Sequence, residues 1–427
     1  MSIMQKRLKW IVLALAAFTI MGSYYTYDSI APIAELLRKH RGFSQQQIGS
    51  LNAVFSLPNI PLAIVGGILI DRIGAARATL AATTLCTVGA VLTAIGDPYG
   101  LMVIGRLLFG LGNETLYIAL LVGISQWFYA GGAALAIAIF FSLARVGSYA
   151  ADTSTQWAAP AYAMGWQPPL WLAAAFTASG LVTAFAYYLI DKRHAHLRGA
   201  GQPSERFDVR SLIGFGRSFW FILWLNVLFA SVFFPFRSTF SIQYFQDAKG
   251  ITLAEAGVAN SWVFFAAIFA TPVVGLVADR FGKRASLLTV GAGLMPLTFL
   301  ILVATDWPLW VSTALMGVSF SVIPAVIWPA TAMLVENRRI GTAFGLVNML
   351  QSLGLATSNY AAGWLNDRFK AGPRNIDGYD GMLSLFAMLS CVAFVSTVML
   401  LIRERGREGG GIEARAETPL DATNQRH

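Results

Sequence analysis

Charge is what this sequence has least of. Asp, Glu, Lys and Arg together make up 12% of its 427 residues, about half the share found in soluble domains. Cysteine is nearly absent. The only two, Cys86 and Cys391, lie inside apolar runs, which excludes a disulfide scaffold or a thiolate metal cluster and leaves packing or lipid contact. No P-loop, metal-ligand cluster or nucleophile elbow is visible, so neither ATP hydrolysis nor an enzymatic function is expected, and no cofactor or metal is implied. A receptor or scaffold would need a large polar domain or a signalling motif, and neither is visible. The net charge of +9 is scattered in short clusters between apolar runs, which argues against a nucleic-acid partner and for topology determinants.

Apolar residues, at 56%, are what is present, and at this length only lipid accounts for so much apolar surface. The first run follows Lys6, Arg7 and Lys9 with no small-residue cleavage pattern after it, so it reads as a span rather than a signal peptide. Twelve spans are predicted, at 10–36, 47–70, 78–96, 100–125, 132–156, 168–190, 217–246, 254–278, 285–304, 308–335, 341–364 and 381–402. Residues 191–216 are the longest polar interruption and read as a cytoplasmic linker between bundles 1–190 and 217–402, and the tail 403–427 is expected to be disordered. Lys and Arg favour the segments on the N-terminal side by roughly three to one, which puts both termini in the cytoplasm.

The two halves repeat. Gly67-Ile-Leu-Ile-Asp71-Arg72-Ile-Gly74 closes the second span, and Gly275-Leu-Val-Ala-Asp279-Arg280-Phe-Gly282-Lys-Arg284 closes the eighth, about half a chain further on. Internal repeats of this kind build transporters with a midplane site between two halves. The two segments resemble the loop signature of the major facilitator superfamily. The resemblance implies an all-α membrane protein of two pseudo-symmetric six-helix bundles, working as a monomer. The glycines permit close helix contact, and the acidic and basic residues take conformational rather than substrate roles. In the first copy Ala75-Ala76-Arg77 weakens the basic end.

Ionisable groups at helix centres are costly and need partners or a water-filled cavity. Glu114 lies roughly 21 Å along the fourth span, on a face with Arg106, Gly110 and Tyr117. Arg145 lies at similar depth in the fifth, on a face with Ser142, Ser148, Tyr149 and Asp152. Two readings stay open: a buried salt bridge that fixes the first half, or a clamp in which Glu114 takes an ammonium and Arg145 a carboxylate. Arg106, nearer the outer end, reads as conformational. Tyr24, Tyr27 and Asp28 in the first span, Arg237, Ser241 and Tyr244 in the seventh, and Asn348, Gln351 and Asn359 in the eleventh are further polar candidates. The expected substrate contacts are Glu114, Arg145, Tyr27, Tyr117, Tyr149, Arg237, Tyr244, Asn348 and Gln351. The conformational set is Gly67, Asp71, Arg72, Gly275, Asp279, Arg280 and Arg106.

A narrower resemblance runs from about residue 20 to 370. Gly22-Ser-Tyr-Tyr-Thr-Tyr-Asp28, Pro58-Asn59, Gly105-Arg-Leu-Leu-Phe-Gly-Leu-Gly-Asn-Glu114, Ala144-Arg-Val-Gly-Ser148, Phe234-Pro-Phe236, Trp328-Pro329, Gly341-Thr-Ala-Phe-Gly345 and Gln351-Ser-Leu-Gly-Leu-Ala356 resemble the lysosomal dipeptide transporter branch, the major facilitator superfamily domain-containing protein one family. That resemblance implies passive or weakly coupled dipeptide transport, with Glu114 receiving the peptide amino terminus and Arg145 its carboxylate. The sequence departs from the branch at Ser241, where the branch carries lysine, and at Asn113, where it carries glycine. No glycosylation acceptor falls in an outer loop and no lysosomal sorting signal is evident, so a bacterial inner-membrane relative is expected. An organic-anion or sugar carrier built on Arg145, Arg106 and Arg237, with Glu114 as proton relay, is the alternative.

Overall fold

The computed structural model describes residues 3–199, 214–336, 339–406 and 411–413. The chain is helical throughout these residues, with sixteen α-helices and no named strand. The first half comprises α1 (Ile3–Asp28), α2 (Ile30–Arg41), α3 (Gln45–Ser56), α4 (Asn59–Ile73), α5 (Ala75–Ile95), α6 (Tyr99–Trp127), α7 (Ala133–Trp157), the short α8 (Ala159–Ala163) and α9 (Gln167–His194). The second comprises α10 (Arg217–Pro235), α11 (Ser241–Lys249), α12 (Leu253–Phe281), α13 (Arg284–Ala304), α14 (Leu309–Leu334), α15 (Ile340–Arg368) and α16 (Asp380–Arg405).

Three spans are each built from two helices: α1 with α2, α3 with α4, and α10 with α11. The last pair joins through a π-helical turn, Phe236–Phe240, after Pro235, because proline removes a backbone donor and widens the ladder. With these junctions the helices make twelve spans in two six-helix bundles. By length and composition alone eleven described segments qualify. The second span does not, since it is broken at Leu57–Pro58 into helices of 12 and 15 residues.

Sequence chemistry explains where the paired elements start and stop. Gly42 ends α2 and Gly250 ends α11, both in the left-handed conformation that glycine adopts without a Cβ penalty. Two residues later Ser44 and Thr252 open α3 and α12 with capping boxes, closed by Gln47 and Glu255. The spacing between these pairs equals that between Asp71 and Asp279, so the repeat covers the whole second and eighth spans.

The bundles meet along a seam at the end that carries Arg41, Gly250 and Asp367. Asp367 accepts hydrogen bonds from the backbone nitrogens of Gln45 and Gln46, both 2.8 Å, so a carboxylate of the second bundle caps a helix N-terminus of the first. A Cβ on Gly49 would strike the Asn359 carbonyl, and one on Gly257 the Asp152 carbonyl. These are pseudo-equivalent close approaches of α3 to α15 and of α12 to α7. The opposite end differs, with Asp71, Arg72, Arg280 and Phe281 exposed.

The tail departs from expectation. Helix α16 continues to Arg405, and Ile412 is fully buried. Glu413 accepts from the Ser286 backbone nitrogen at 3.1 Å and from its hydroxyl at the start of α13, a favourable place for a carboxylate. The rest of the predicted tail, and 200–213 of the predicted linker, lie outside the described residues.

Candidate functional site

Helix α6 carries Glu114 and helix α7 carries Arg145, and both side chains are half-buried. Asn59, the first residue of α4 after the proline break, lies at hydrogen-bonding range of the Glu114 carboxylate. Arg145 reaches into the second bundle. It donates to the Ala267 carbonyl at 3.2 Å and to the Thr271 hydroxyl, and its guanidinium sits 5.3 Å from the Phe320 ring centre. No ion pair among the described residues joins Glu114 to Arg145, so the salt-bridge arrangement is not adopted in this conformation. Tyr24 from α1 and Tyr117 from α6 each lie within electrostatic reach of both charges. The result is an acid and a base on one bundle, unpaired with each other, with two phenols near both and a hydroxyl and carbonyl of the other bundle against the base.

The other predicted contacts scatter. Tyr149 is half-buried and packs against Phe265, with ring centres 6.3 Å apart. Gln351 is half-buried and accepts from Asn226 at 2.7 Å, while Asn348 on the same helix is exposed. Tyr27 is buried against Phe55, ring centres 4.7 Å apart, under the Arg106 guanidinium. Tyr244 is buried against Tyr379, well along the seam. Arg237 is fully buried and ion-paired to Asp28 and Asp152, so in this conformation it faces carboxylates and not a solute. The pairing follows from the π-turn after Pro235, which rotates Arg237 towards the first bundle.

Arg106 is likewise fully buried. It donates to the carbonyls of Leu51, Thr26 and Tyr27, each at 3.4 Å, and to the Asn52 side chain. It thereby ties the C-terminal end of α1 to α3. Asn52 in turn donates to the Ser238 carbonyl and the Thr239 hydroxyl across the seam. Its pseudo-equivalent, Asn260, donates to Asp152 and to the Arg237 carbonyl. In the conformational set, Gly275 has open space around it, and the side-chain surroundings of Gly67 and Asp279 lie outside the described residues.

Both departures from the resemblance have structural explanations. Asn113 is buried and accepts from Ser23 at 2.6 Å, fixing α1 to α6 beside Glu114. Ser241 is buried and donates to Asn260 and to the Arg237 carbonyl, so it belongs to the seam. The sequence reading missed Asn59, Thr271 and Phe320 as neighbours of the charged pair. A polar residue flanking a proline, as Asn59 and Thr271 both are, is the signal that was there to find.

A model described as Major Facilitator Superfamily matches residues 13–245 and again 219–425. The lysosomal dipeptide transporter MFSD1 of Danio rerio is 28% identical over 414 residues, covering 94% of this chain and 88% of that protein. The probable sulfoacetate transporter SauU of Cupriavidus necator is 21% identical over 395 residues, covering 86% of this chain and 89% of that one. The crystal structure of a mutant of the nucleoside transporter NupG superposes with a TM-score of 0.72 at 12% identity over 92% of this chain and 98% of that one.

Proposed function

Since this chain belongs to the major facilitator superfamily and is a multi-pass membrane transporter, not an enzyme, we propose that its cargo is a short zwitterion, above all a dipeptide. The observation that carries the proposal is the unbridged pair, Glu114 and Arg145, with Tyr24 and Tyr117 in reach of both charges. The ammonium end of a dipeptide meets Glu114 and its carboxylate meets Arg145, whose planar fork suits a carboxylate better than the neutral carbonyl and hydroxyl it now holds. Peptide carbonyl and amide groups between the two ends meet the phenols. The similarity to a dipeptide transporter over nearly the whole chain supports the same reading.

Movement follows from the seam. With the bundles joined at the Arg41 end and Asp71, Arg72, Arg280 and Phe281 exposed at the other, we take the charged pair to open towards the latter. We assign that end to the cytoplasm from the distribution of Lys and Arg, with both termini inside. Arg145 already touches α12 of the second bundle, so a carboxylate that displaces this contact changes what joins the bundles at mid-depth. Cargo and rocking motion are thereby linked in a monomeric uniporter, without a further energy source.

Counterflow of labelled Ala-Ala in proteoliposomes tests this. Glu114→Gln and Arg145→Ala should each lower transport by about a hundredfold, as expected when a buried charge-assisted hydrogen bond of about 3 kcal/mol is lost. N-acetylated and C-amidated Ala-Ala, each lacking one charge, should fail to compete. Wild-type exchange by both variants, or full competition by the acetylated peptide, rules out the zwitterion clamp, and the latter points to an organic-anion carrier.

A further inference from the structure

Around Arg145 the second bundle offers a carbonyl, a hydroxyl and an aromatic ring, and no charge. Between their ends, α10, α12, α14 and α15 carry no Asp, Glu, Lys, Arg or His. Arg237, in the turn after α10, is fully buried and held by Asp28 and Asp152. The ring beside Arg145 is Phe320 of α14, 5.3 Å from the guanidinium. It is half-buried and stacked on buried Phe233, with ring centres 4.3 Å apart and planes 8° apart. Phe234 of α10 is half-buried too and stands edge-on to Phe320, centres 6.0 Å apart at 86°. It also lies 6.5 Å from the Tyr27 ring of the first bundle.

Two rings nearly at right angles, one of them against the guanidinium, make an apolar corner beside the place assigned to the cargo's carboxylate. In a dipeptide the carboxylate and the second side chain share one Cα, whereas the first Cα lies about 3.8 Å further on. The corner is therefore within reach of the second side chain before the first. Edge-to-face and offset rings are the arrangements that aromatic groups favour, and the corner extends this pattern to a third ring. A charged side chain in the same place would have no counter-ion. Glu114 and Arg145 are already taken by the two ends of the peptide, and a buried charge without a partner is far more costly than a buried apolar group.

We infer that Phe320 and Phe234 select the carboxy-terminal side chain of the cargo, and that this side chain is aromatic or large and aliphatic. This rests on the zwitterionic cargo proposed above, and adds which of the two side chains is read and by which residues. The amino-terminal residue lies nearer Glu114, whose neighbours Asn59, Tyr24 and Tyr117 are polar. Residue order therefore matters, and Ala-Phe and Phe-Ala are different cargoes. The second bundle thus sorts peptides by side chain, while the first bundle binds the charged ends that all of them share.

The test is competition against counterflow of labelled Ala-Ala in proteoliposomes of the full-length protein. Ala-Phe should compete about tenfold better than Ala-Ala and better than Phe-Ala, and Ala-Lys and Ala-Asp about a hundredfold worse than Ala-Phe. Phe234→Ala opens the corner and should bring Ala-Phe down to the level of Ala-Ala. Phe320→Leu, which keeps an apolar group of similar volume beside Arg145, should also reduce the advantage of Ala-Phe, and serves if Phe234→Ala does not fold. Equal competition by Ala-Phe and Phe-Ala, or by Ala-Phe and Ala-Lys, overturns the side-chain assignment and leaves the zwitterionic cargo standing. So does an Ala-Phe advantage that survives both variants. Absence of Ala-Ala counterflow in the wild type overturns the cargo itself, and the side-chain assignment with it.

Discussion

At the scale of single residues, geometry decides which arginines can meet a solute. Arg106, Arg145 and Arg237 all lie within spans, yet Arg106 and Arg237 are fully buried and engaged by protein acceptors, while Arg145 alone remains half-buried at mid-depth. Arg106 uses its planar fork to serve four acceptors and lies 5.2–5.8 Å from the ring centres of Phe55, Phe109 and Tyr27. Lysine keeps the charge but cannot reach these acceptors together. Arg106→Lys is therefore expected to destabilise the protein by about 2–3 kcal/mol, the cost of leaving buried acceptors unpaired. Thermal unfolding of purified protein in detergent would read this as a lower midpoint. An unchanged midpoint would mean that the acceptors are satisfied in some other way.

Among the helices, close approach is set by glycine, as expected where lipid removes the hydrophobic drive for helix association. A Cβ on Gly147 of α7 would collide with the Met21 carbonyl of α1, one on Gly110 of α6 with that of Phe55 in α3, and one on Gly317 of α14 with that of Val263 in α12. The last two crossings relate the halves, since Phe55 and Val263 share the repeat spacing. Gly147→Ala has only backbone to displace, and backbone cannot step aside as a side chain can. We expect it to cost about 1–3 kcal/mol, seen in the same unfolding measurement. Gly100, whose Cβ would meet nothing within 4 Å, supplies the control, and Gly100→Ala should be neutral within about 0.5 kcal/mol. Equal effects at both positions would show that the α1–α7 contact is not as close as described.

At the scale of the molecule, the two bundles touch along one end through α3 with α15, α7 with α12, α2 with α11, and the α1–α2 junction with the π-turn, and α4 also packs on α15. Polar contacts cross this seam, including Arg38 with Asp247 at 3.6 Å and Gln246 donating to Glu35 at 2.6 Å. Polar seams can part into water at modest cost, whereas an apolar seam of equal area would stay shut. A transporter must part this seam in each cycle. Gln46→Cys with Asp367→Cys, residues that hydrogen-bond across it, should form a disulfide on oxidation that stops counterflow, with recovery on reduction. Undiminished transport in the fully cross-linked protein would mean that the seam is not a gate.

The membrane class, the number of spans and the two-fold repeat were legible in the chain because hydropathy and motif spacing are properties of contiguous segments. Lipid leaves a long apolar run little choice but a spanning helix. Glu114 and Arg145 stood out for the same reason, as lone charges within such runs. The broken second and seventh spans were only partly legible: Pro58 and Pro235 mark the breaks, but the π-turn that swings Arg237 into the first bundle depends on what it meets there. Which charges pair, and which stay open to a solute, was settled by contacts between residues far apart in the chain, 85 residues for Asp152 with Arg237 and 122 for Arg145 with Ala267. Asp28, Asp152 and Arg237 come from three spans and two bundles, and no local pattern encodes a partner that arrives only when the bundles pack.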